Sequence, residues 1–254
     1  MMTVTPIPAL RDNYIWAMHV GSQAVVVDPG AAEPVTQWLE EKGLQLAAIL
    51  ITHHHGDHIG GMPALKKRYR VPVVGPAGGH IRGIDRRVGE GGRVVPAPDF
   101  PEFEVFAVPG HTLDHIAYYA PGHLFCGDTL FSAGCGRLFE GDAGQLHRSL
   151  AKFAALPGDT RVYPAHEYTV ANLKFARSVL PEDEKIEKAL ANALKIRENV
   201  NPTLPSSVSR EREINVFLRT EDPAVRAAAE AYSGGRLETG VAVLAALRHW
   251  KDEF

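Results

Sequence analysis

The chain has 254 residues, 45% of them hydrophobic and 22% charged, which is typical of a folded protein with a buried core and excludes a disordered or fibrous one. Its 27 Lys and Arg residues against 30 Asp and Glu residues give a net charge of −3, so there is no general basic field for nucleic acid or an anionic membrane. The cysteines, Cys126 and Cys135, are too few for a disulfide framework or a thiolate metal site.

The sequence contains no apolar run of the roughly 18 residues that a membrane-spanning helix needs. Its first residues also lack the basic stretch followed by an apolar one that marks a secretory leader. We therefore expect a cytoplasmic protein.

In the first part of the chain, apolar runs that suit strands alternate with patterns that suit helices. The predicted elements are a strand at 25–27, a helix at about 34–43, a strand at 46–51, a helix at 62–69 and a strand at 71–74. This alternation predicts an α/β fold class.

Residues 76–101 are rich in Gly, Pro and Arg and are predicted to be mostly loop. The next predicted elements are hairpin strands at 103–108, 115–120 and 124–126, a helix with Leu146, Leu150 and Phe153 on one face, and a strand at 160–163.

From about residue 167 the pattern becomes helical. The predicted helices are 170–180, 184–198, 210–218, 224–231 and 241–250, and we expect no strand among them. The change predicts a domain boundary, with an α/β domain at 1–166 and an all-helical domain at 167–254.

Histidines are concentrated in one short segment, which directly follows the predicted strand at 46–51. In an extended chain alternate side chains share a side, so His53 and His55 can point together while His54 points away. Asp57 and His58 follow at a predicted helix start. Imidazole and carboxylate groups are common ligands of divalent metal ions. We therefore favour a metal site over the alternative of a polar surface loop.

Three other apolar runs end just before a possible ligand, namely His111, Asp128 and His166. Open α/β sheets place their sites beyond the carboxyl ends of strands, so these side chains are expected to converge. A single histidine after a strand is more often a hydrogen-bonded loop residue, and it is the set that indicates a site.

The candidate metal ligands are His53, His55, Asp57, His58, His111, Asp128 and His166. One catalytic zinc ion takes about three protein ligands, so this set suits two divalent ions that share a carboxylate. We favour Asp128 as the shared ligand. Zinc is the expected metal, and iron or manganese would accept the same ligands.

The pattern His53-x-His55-x-Asp57-His58 with His111, Asp128 and His166 resembles the metallo-β-lactamase superfamily, and Asp28-Pro29-Gly30 matches its early turn. Within the superfamily, the glyoxalase II (hydroxyacylglutathione hydrolase) family is the most similar. The segments that carry this likeness are 126–131, 134–141, 166–169, 201–202, 214–219 and Arg248-x-x-Lys251. The resemblance therefore extends over essentially the whole chain.

The resemblance implies a four-layer αββα domain followed by a helical domain that helps bind glutathione. It implies His53, His55 and His111 on one ion and Asp57, His58 and His166 on the other. Asp128 and a hydroxide would lie between the two ions, with Asp57 and Asp128 as the catalytic carboxylates.

The implied reaction is hydrolysis of S-D-lactoylglutathione, or another S-(2-hydroxyacyl)glutathione, to the 2-hydroxy acid and glutathione, the second step of methylglyoxal detoxification. The family's glutathione positions fall on Arg137, Phe139, Tyr168, Arg248 and Lys251. Eukaryotic members carry Lys and Tyr where this chain has Arg137 and Phe139, and Phe139 has no hydroxyl, so it can only pack. We expect a monomer that acts on this small molecule, without nucleic-acid or membrane partners.

A nucleic-acid-processing member of the superfamily is disfavoured by the charge balance, and two other functions are considered. One is a mononuclear-iron dioxygenase acting on glutathione persulfide, whose relatives lack a long helical tail, so residues 167–254 argue against it. The other is a metal-binding protein without turnover, which would be expected to have lost some ligands. A cysteine nucleophile is disfavoured because Cys126 lies in an apolar strand and neither cysteine has a basic neighbour outside the metal motif.

Overall fold

The computed structural model describes residues 2–78 and 81–254. The chain divides into two units, the first formed by Met1–Ala107 with Asp114–Gly127 and the second by Val108–Leu113 with Asp128–Phe254. The boundary expected between residues 166 and 167 lies inside the second unit, and the division into domains 1–166 and 167–254 stays a prediction.

The first unit contains two sheets and the helices that pack on them. Its strands are β1 (Thr3–Ala9), β2 (Asn13–Val20), β3 (Gln23–Val27), β4 (Gln45–Leu50), β5 (Val73–Pro76), β6 (Arg86–Val88), β7 (Arg93–Val94), β8 (Phe103–Ala107), β9 (Ile116–Ala120) and β10 (His123–Gly127). Its helices are α1 (Glu33–Lys42), α2 (Gly56–Ile59) and α3 (Met62–Tyr69).

One sheet has the strand order β1 to β6, with antiparallel pairing at β1, β2 and β3 and parallel pairing from β3 to β6. Trp38 and Leu39 of α1 and Leu65 of α3 are buried with Ile49 of β4 in one hydrophobic core. Helical crossovers of this kind are what parallel strands require. The carboxyl ends of β3 and β4 therefore meet at one edge.

The other sheet of this unit is antiparallel and runs β10, β9, β8, β7, with the hairpins that the sequence predicts. Tyr118 of β9 is fully buried, and its hydroxyl donates to the carbonyl oxygen of Ile51 at 2.9 Å. The two sheets of the unit therefore pack face to face.

The second unit is mostly helical. Its strands are β11 (Leu130–Phe131), β12 (Gly134–Cys135), β13 (Arg161–Pro164) and β14 (Ser206–Ser207). Its helices are α4 (Ala143–Ala154), α5 (Thr169–Val179), α6 (Glu184–Glu198), α7 (Val208–Ile214), α8 (Pro223–Ser233) and α9 (Gly240–Glu253), with a 3₁₀ turn at Val216–Leu218. No helix among the described residues is long and apolar enough to cross a lipid bilayer.

Two expectations about the helical part are wrong. Ser206 and Ser207 form the short strand β14, which pairs with β13, although no strand was expected after residue 167. The helix expected at 210–218 ends at Ile214, because the Asn215 side chain accepts from the backbone N–H of Phe217 and starts the 3₁₀ turn. The Asn215 contact is a side chain to backbone hydrogen bond, of the kind that competes with helix continuation.

The hydrophobic pattern does not predict four strands of the first unit, β1, β2, β6 and β7, nor β11, β12 and β14 of the second. β1 contains Pro6 and Pro8, which an edge strand tolerates and a central strand does not. β2 is buried along most of its length on both faces, so it shows no alternation. β6 and β7 are short edge strands within the segment expected to be mostly loop.

Candidate metal and substrate site

The first set of candidate ligands lies just beyond the carboxyl end of β4. His53 and His55 point to the same side, with His53 Nε2 3.1 Å from His55 Nδ1. His54 points away, and its Nδ1 lies 2.9 Å from Asp114 Oδ1. These contacts confirm the alternation expected for an extended segment.

Asp57 and His58 lie on α2, as expected for a helix start. His58 is fully buried, and its Nε2 lies 3.5 Å from Asp57 Oδ2. The same oxygen accepts a hydrogen bond from Asn13 Nδ2 at 2.9 Å. Asn13 therefore orients the Asp57 carboxylate from the neighbouring strand β2.

Asp28 is a buried carboxylate that holds this set in place. It accepts from the backbone N–H and the hydroxyl of Thr52, both at 2.7 Å, and from His58 Nδ1 at 3.0 Å. Because a carboxylate only accepts, the His58 proton lies on Nδ1 and its Nε2 carries the lone pair that a metal ligand needs. Thr52 Oγ1 also lies 3.0 Å from His53 Nδ1, so His53 Nε2 is oriented in the same way.

Gly30 lets the turn after β3 pack directly on α2. A Cβ at this position would lie 1.8 Å from the carbonyl oxygen of Asp57, a distance that real contacts do not reach. The Asp28-Pro29-Gly30 turn and Asp57 are therefore fixed to each other by close backbone packing.

The second set of candidate ligands, His111, Asp128 and His166, comes together in the second unit. Asp128 Oδ2 lies 3.5 Å from His111 Nε2 and 3.3 Å from His166 Nε2, and all three side chains are buried. His111 Nδ1 lies 2.8 Å from the carbonyl oxygen of Arg137, which only accepts, so the proton is on Nδ1. The lone pair of His111 Nε2 thus faces a carboxylate oxygen.

A lone pair and a carboxylate oxygen at this separation repel unless a cation or a proton lies between them. The same holds for the first set, where the lone pair of His58 Nε2 lies 3.5 Å from Asp57 Oδ2. These His and Asp clusters therefore fit metal ions by their donor chemistry and by the hydrogen bonds that fix their tautomers.

Two aromatic side chains of the expected glutathione positions flank the second set. Tyr168 stacks on His166, with ring centroids 4.7 Å apart and planes 8° from parallel. Phe139 is 64% exposed and meets His111 edge-on at 5.2 Å. An exposed aromatic ring beside buried polar ligands is a surface that can cover part of a bound organic molecule.

The expected cationic positions cluster around Asp252. Arg248 is buried and donates to the carbonyl oxygen of Cys135 at 3.0 Å and to Asp252 Oδ1 at 3.1 Å. Arg137 is exposed, with Nε 3.3 Å from the same Asp252 oxygen. Lys251 Nζ donates to the carbonyl oxygen of Ala171 at 3.3 Å.

The surroundings of Lys251 disfavour its charged form. Burial, together with repulsion from Arg248 and Arg137, lowers the pKa of Lys251 to about 8. Arg137, Arg248 and Lys251 therefore form an excess of positive charge that a bound carboxylate would relieve.

Neither cysteine has the surroundings of a nucleophile. Cys126 and Cys135 are both buried free thiols, and burial raises the pKa of Cys135 in spite of the nearby Arg248. A nucleophilic cysteine needs an accessible thiolate, so the structure supports the expectation that both are structural.

Asp28, Asn13 and Thr52 are the site residues that the sequence alone did not single out as part of the site. Asp28 follows a strand end in the same way as the candidate ligands, so the strand-end pattern could have included it. Asn13 lies in β2, which has no recognisable pattern, and its role becomes visible only through its contact with Asp57.

Replacing Asp28 by alanine should weaken metal binding about 10- to 100-fold, the usual effect of losing a partner that orients a metal-binding histidine. His58 and Thr52 would both lose their acceptor. The dissociation constant can be measured by competition with a chromophoric chelator. Asp28 and Asp99 both have a positive φ, 53° and 66°, and Asp99 is exposed, so Asp99→Ala is the matched control. Unchanged affinity in folded Asp28→Ala protein would show that Asp28 does not orient the ligands.

Comparisons with known proteins cover the whole chain. The family model described as metallo-beta-lactamase superfamily matches residues 10–166, and the model described as hydroxyacylglutathione hydrolase C-terminus matches residues 167–254. The hydroxyacylglutathione hydrolase of Chromohalobacter salexigens is 53% identical over 260 residues, covering 100% of both chains.

Solved structures give the same result for the fold. ETHE1 from Myxococcus xanthus is 29% identical with a TM-score of 0.59, covering 84% of this chain and 96% of its own. TTHA1623 in a di-iron-bound form is 29% identical with a TM-score of 0.57, covering 64% of this chain and 92% of its own.

These matches confirm the expected fold class, a metallo-β-lactamase fold followed by a helical C-terminal region. Full-length identity of 53% is well above what a shared fold alone would produce, and the family-specific C-terminal model matches the helical tail. The chain therefore belongs to the hydroxyacylglutathione hydrolase family of the metallo-β-lactamase superfamily.

Proposed function

We propose that the chain is a cytoplasmic, monomeric hydrolase that converts S-D-lactoylglutathione, or another S-(2-hydroxyacyl)glutathione, to the 2-hydroxy acid and glutathione. This reaction is the second step of methylglyoxal detoxification. The full-length likeness to hydroxyacylglutathione hydrolases supports it. The main structural support for this function is the position of Asp128. Its carboxylate oxygen faces Nε2 of both His111 and His166, as a shared metal ligand would.

We further propose two metal ions, with zinc as the expected metal. Each ion would have three ligands of its own, and Asp128 would be shared. One ion would be held by His53, His55 and His111, and the other by Asp57, His58 and His166. The di-iron-bound form of the similar protein TTHA1623 supports a dinuclear centre. When bound, such ions would polarise a carbonyl group and lower the pKa of a bound water to about 7.

The protein's own part in this reaction is to hold the ligands and the substrate. Asn13 and Asp28 orient Asp57 and His58, and the Arg137 carbonyl orients His111. No strong acid is needed for the leaving group, because a thiol has a pKa near 8.5 and leaves as the thiolate. Asp57 and Asp128 are the catalytic carboxylates of this proposal.

Glutathione carries two carboxylates, and the chain offers three cations to bind them. Asp252 pairs with both Arg137 and Arg248, and Lys251 lies near enough to be repelled by these two arginines. Phe139 and Tyr168 would pack against the bound thioester beside His111 and His166. Phe139 has no hydroxyl to donate, so its contribution is contact area.

A mononuclear-iron dioxygenase acting on glutathione persulfide is not favoured. The hydroxyacylglutathione hydrolase C-terminus model matches the whole helical region 167–254, and the similar relative of that name covers the full chain. The ligand set also exceeds what one ion needs.

The proposed function is tested by measuring S-D-lactoylglutathione hydrolysis together with the metal content of the same preparation. We expect turnover that a chelator abolishes and added zinc restores. Metal-loaded protein that oxidises glutathione persulfide but hydrolyses no thioester would overturn the proposal.

The KM for the glutathione thioester should rise as the pH passes upward through about 8, the pKa of Lys251. Below this pH the lysine is charged and can bind a carboxylate, and above it the neutral amine cannot. KM measured from pH 6 to 10 checks this, with Lys251→Arg as the matched control that keeps its charge. An equal rise of KM in both proteins would assign the effect to another group.

A further inference from the structure

Glu211 of α7 is a buried carboxylate that the proposed reaction does not use. It is fully buried, and it accepts from the backbone N–H of Ala133 at 2.7 Å, from Ser132 Oγ at 2.9 Å, from Asn215 Nδ2 at 3.1 Å and from the hydroxyl of Ser206. Burial raises the pKa of Glu211, and these hydrogen bonds act in the opposite direction. A carboxylate is costly to bury unless hydrogen bonds compensate for the lost water, and these four donors supply them.

Two buried asparagines bind the same stretch of chain. Asn215 Nδ2 donates to the carbonyl oxygens of Phe131 and Gly134, at 3.2 and 3.0 Å. Asn172 Nδ2 of α5 donates to the carbonyl oxygen of Ser132 at 3.1 Å. We call Glu211, Asn215 and Asn172 the tip clamp. Together they hydrogen-bond one backbone group of each residue from 131 to 134.

Residues 131–134 are the tip of the hairpin formed by β11 and β12, which pair over only two residues each. Ala133 at this tip has a φ of +56°, in the left-handed region that residues other than glycine seldom adopt. A hairpin this short is not stable by itself. Its conformation therefore depends on side chains from the helices.

The base of the same hairpin carries the functional groups. Asp128 precedes β11, and a Cβ at Gly136 would lie 2.0 Å from the Asp128 carbonyl oxygen, so the two ends are packed together. The carbonyl oxygen of Arg137 lies 2.8 Å from His111 Nδ1, and that of Cys135 accepts from Arg248. A displaced hairpin would move two candidate metal ligands and two candidate substrate cations at once.

We propose that the tip clamp is a positioning device, which holds Asp128 and His111 for metal binding and Arg137 and Arg248 for the substrate through the hairpin between them. The substrate part of this proposal rests on the proposed thioester hydrolysis. The metal part does not depend on it. On this account the helical region does more than contact glutathione, because it also sets the geometry of the metal ligands.

The conservative variant Glu211→Gln can keep the hydrogen bonds of the tip clamp. In Glu211→Gln the remaining amide oxygen can still accept from Ala133 N–H and Asn215, while the new NH2 group can donate to Ser132 and Ser206, whose hydroxyls can rotate. Glu211→Gln should therefore keep the hairpin in position, whereas Glu211→Ala cannot.

The experiment compares Glu211→Ala, Glu211→Gln and the milder Asn172→Ala with Asp183→Ala. Asp183 is the matched control because it accepts from the backbone N–H groups that start α6 and pairs with Arg219, so its loss destabilises the helical region elsewhere. The measurements are Tm, the dissociation constant for Co²⁺, the visible spectrum of the Co²⁺-loaded protein, and KM and kcat for S-D-lactoylglutathione.

We expect Glu211→Ala to raise the Co²⁺ dissociation constant at least about 10-fold, as loss of groups that orient ligands does. Its Co²⁺ spectrum should change and its KM should rise. Glu211→Gln should restore all three, Asn172→Ala should show a smaller effect in the same direction, and Asp183→Ala should lower only Tm.

The inference is overturned if folded Glu211→Ala and Asn172→Ala bind Co²⁺ with wild-type affinity and spectrum. If Glu211→Ala does not fold, Asn172→Ala decides the question by the same measurements. Wild-type protein that binds metal but hydrolyses no glutathione thioester would refute the proposed function instead, and the Co²⁺ affinities and spectra would still test the positioning role.

Discussion

Replacing Asp128 by alanine should lower turnover of S-D-lactoylglutathione by at least about 100-fold and reduce the metal content of the protein. Loss of a residue that only orients a ligand already costs 10- to 100-fold, and Asp128 is proposed to bind metal itself. Its carboxylate faces both His111 and His166, so its removal affects the ligands on either side. Steady-state kinetics and metal analysis of the same samples test this prediction.

Asp128→Asn is the matched variant, because it keeps the size of the side chain and removes the charge. We expect it to lose most of the activity as well. Cys126→Ala and Cys135→Ala are the controls for the mechanism and should stay within a few-fold of wild type, since both thiols are buried. A folded, metal-loaded cysteine variant that lost orders of magnitude in rate would instead indicate covalent catalysis.

The second large effect is expected for the double variant Arg248→Ala with Lys251→Ala, which should raise KM for the glutathione thioester about 10- to 100-fold. Hydrogen bonds to charged groups contribute about 1.5–3 kcal/mol each, and solvent at the half-buried Lys251 reduces its share. A carboxylate remote from the thioester is bound equally in the ground and transition states, so kcat should change less.

Arg248 requires a separate control, because its guanidinium also binds the Cys135 carbonyl at the base of the hairpin. Lys251→Met removes only the second charge and should raise KM without changing the metal content. A thioester lacking glutathione should be hydrolysed equally fast by wild type and Lys251→Met. If KM for the glutathione thioester is unchanged in all of these variants, the two cations do not anchor the substrate.

The candidate ligands could be predicted from the sequence because each follows a strand or an extended segment with a clear pattern. The alternation of His53, His54 and His55 needs only backbone geometry, and the contacts of these side chains confirm it. His111, Asp128 and His166 follow predicted strands in the same way, and within the second unit they come together.

The groups that orient the ligands could not be predicted in this way. Glu211 contacts residues 78 and 79 positions away, and Asn13 contacts Asp57 over 44 positions. Buried polar side chains of this kind are specified by their partners and carry no local periodicity. Arg248 shows the same limit, since the sequence does not reveal that its side chain is buried and donates to the carbonyl oxygen of Cys135.

Titration of metal into metal-free protein, with the rate of S-D-lactoylglutathione hydrolysis followed at each step, tests the proposed dinuclear thioesterase most directly. We expect the rate to rise until two equivalents are bound per chain, and we expect Asp128→Ala to show neither the rise nor the second equivalent. Full activity at one bound equivalent, or hydrolysis without metal, would contradict it.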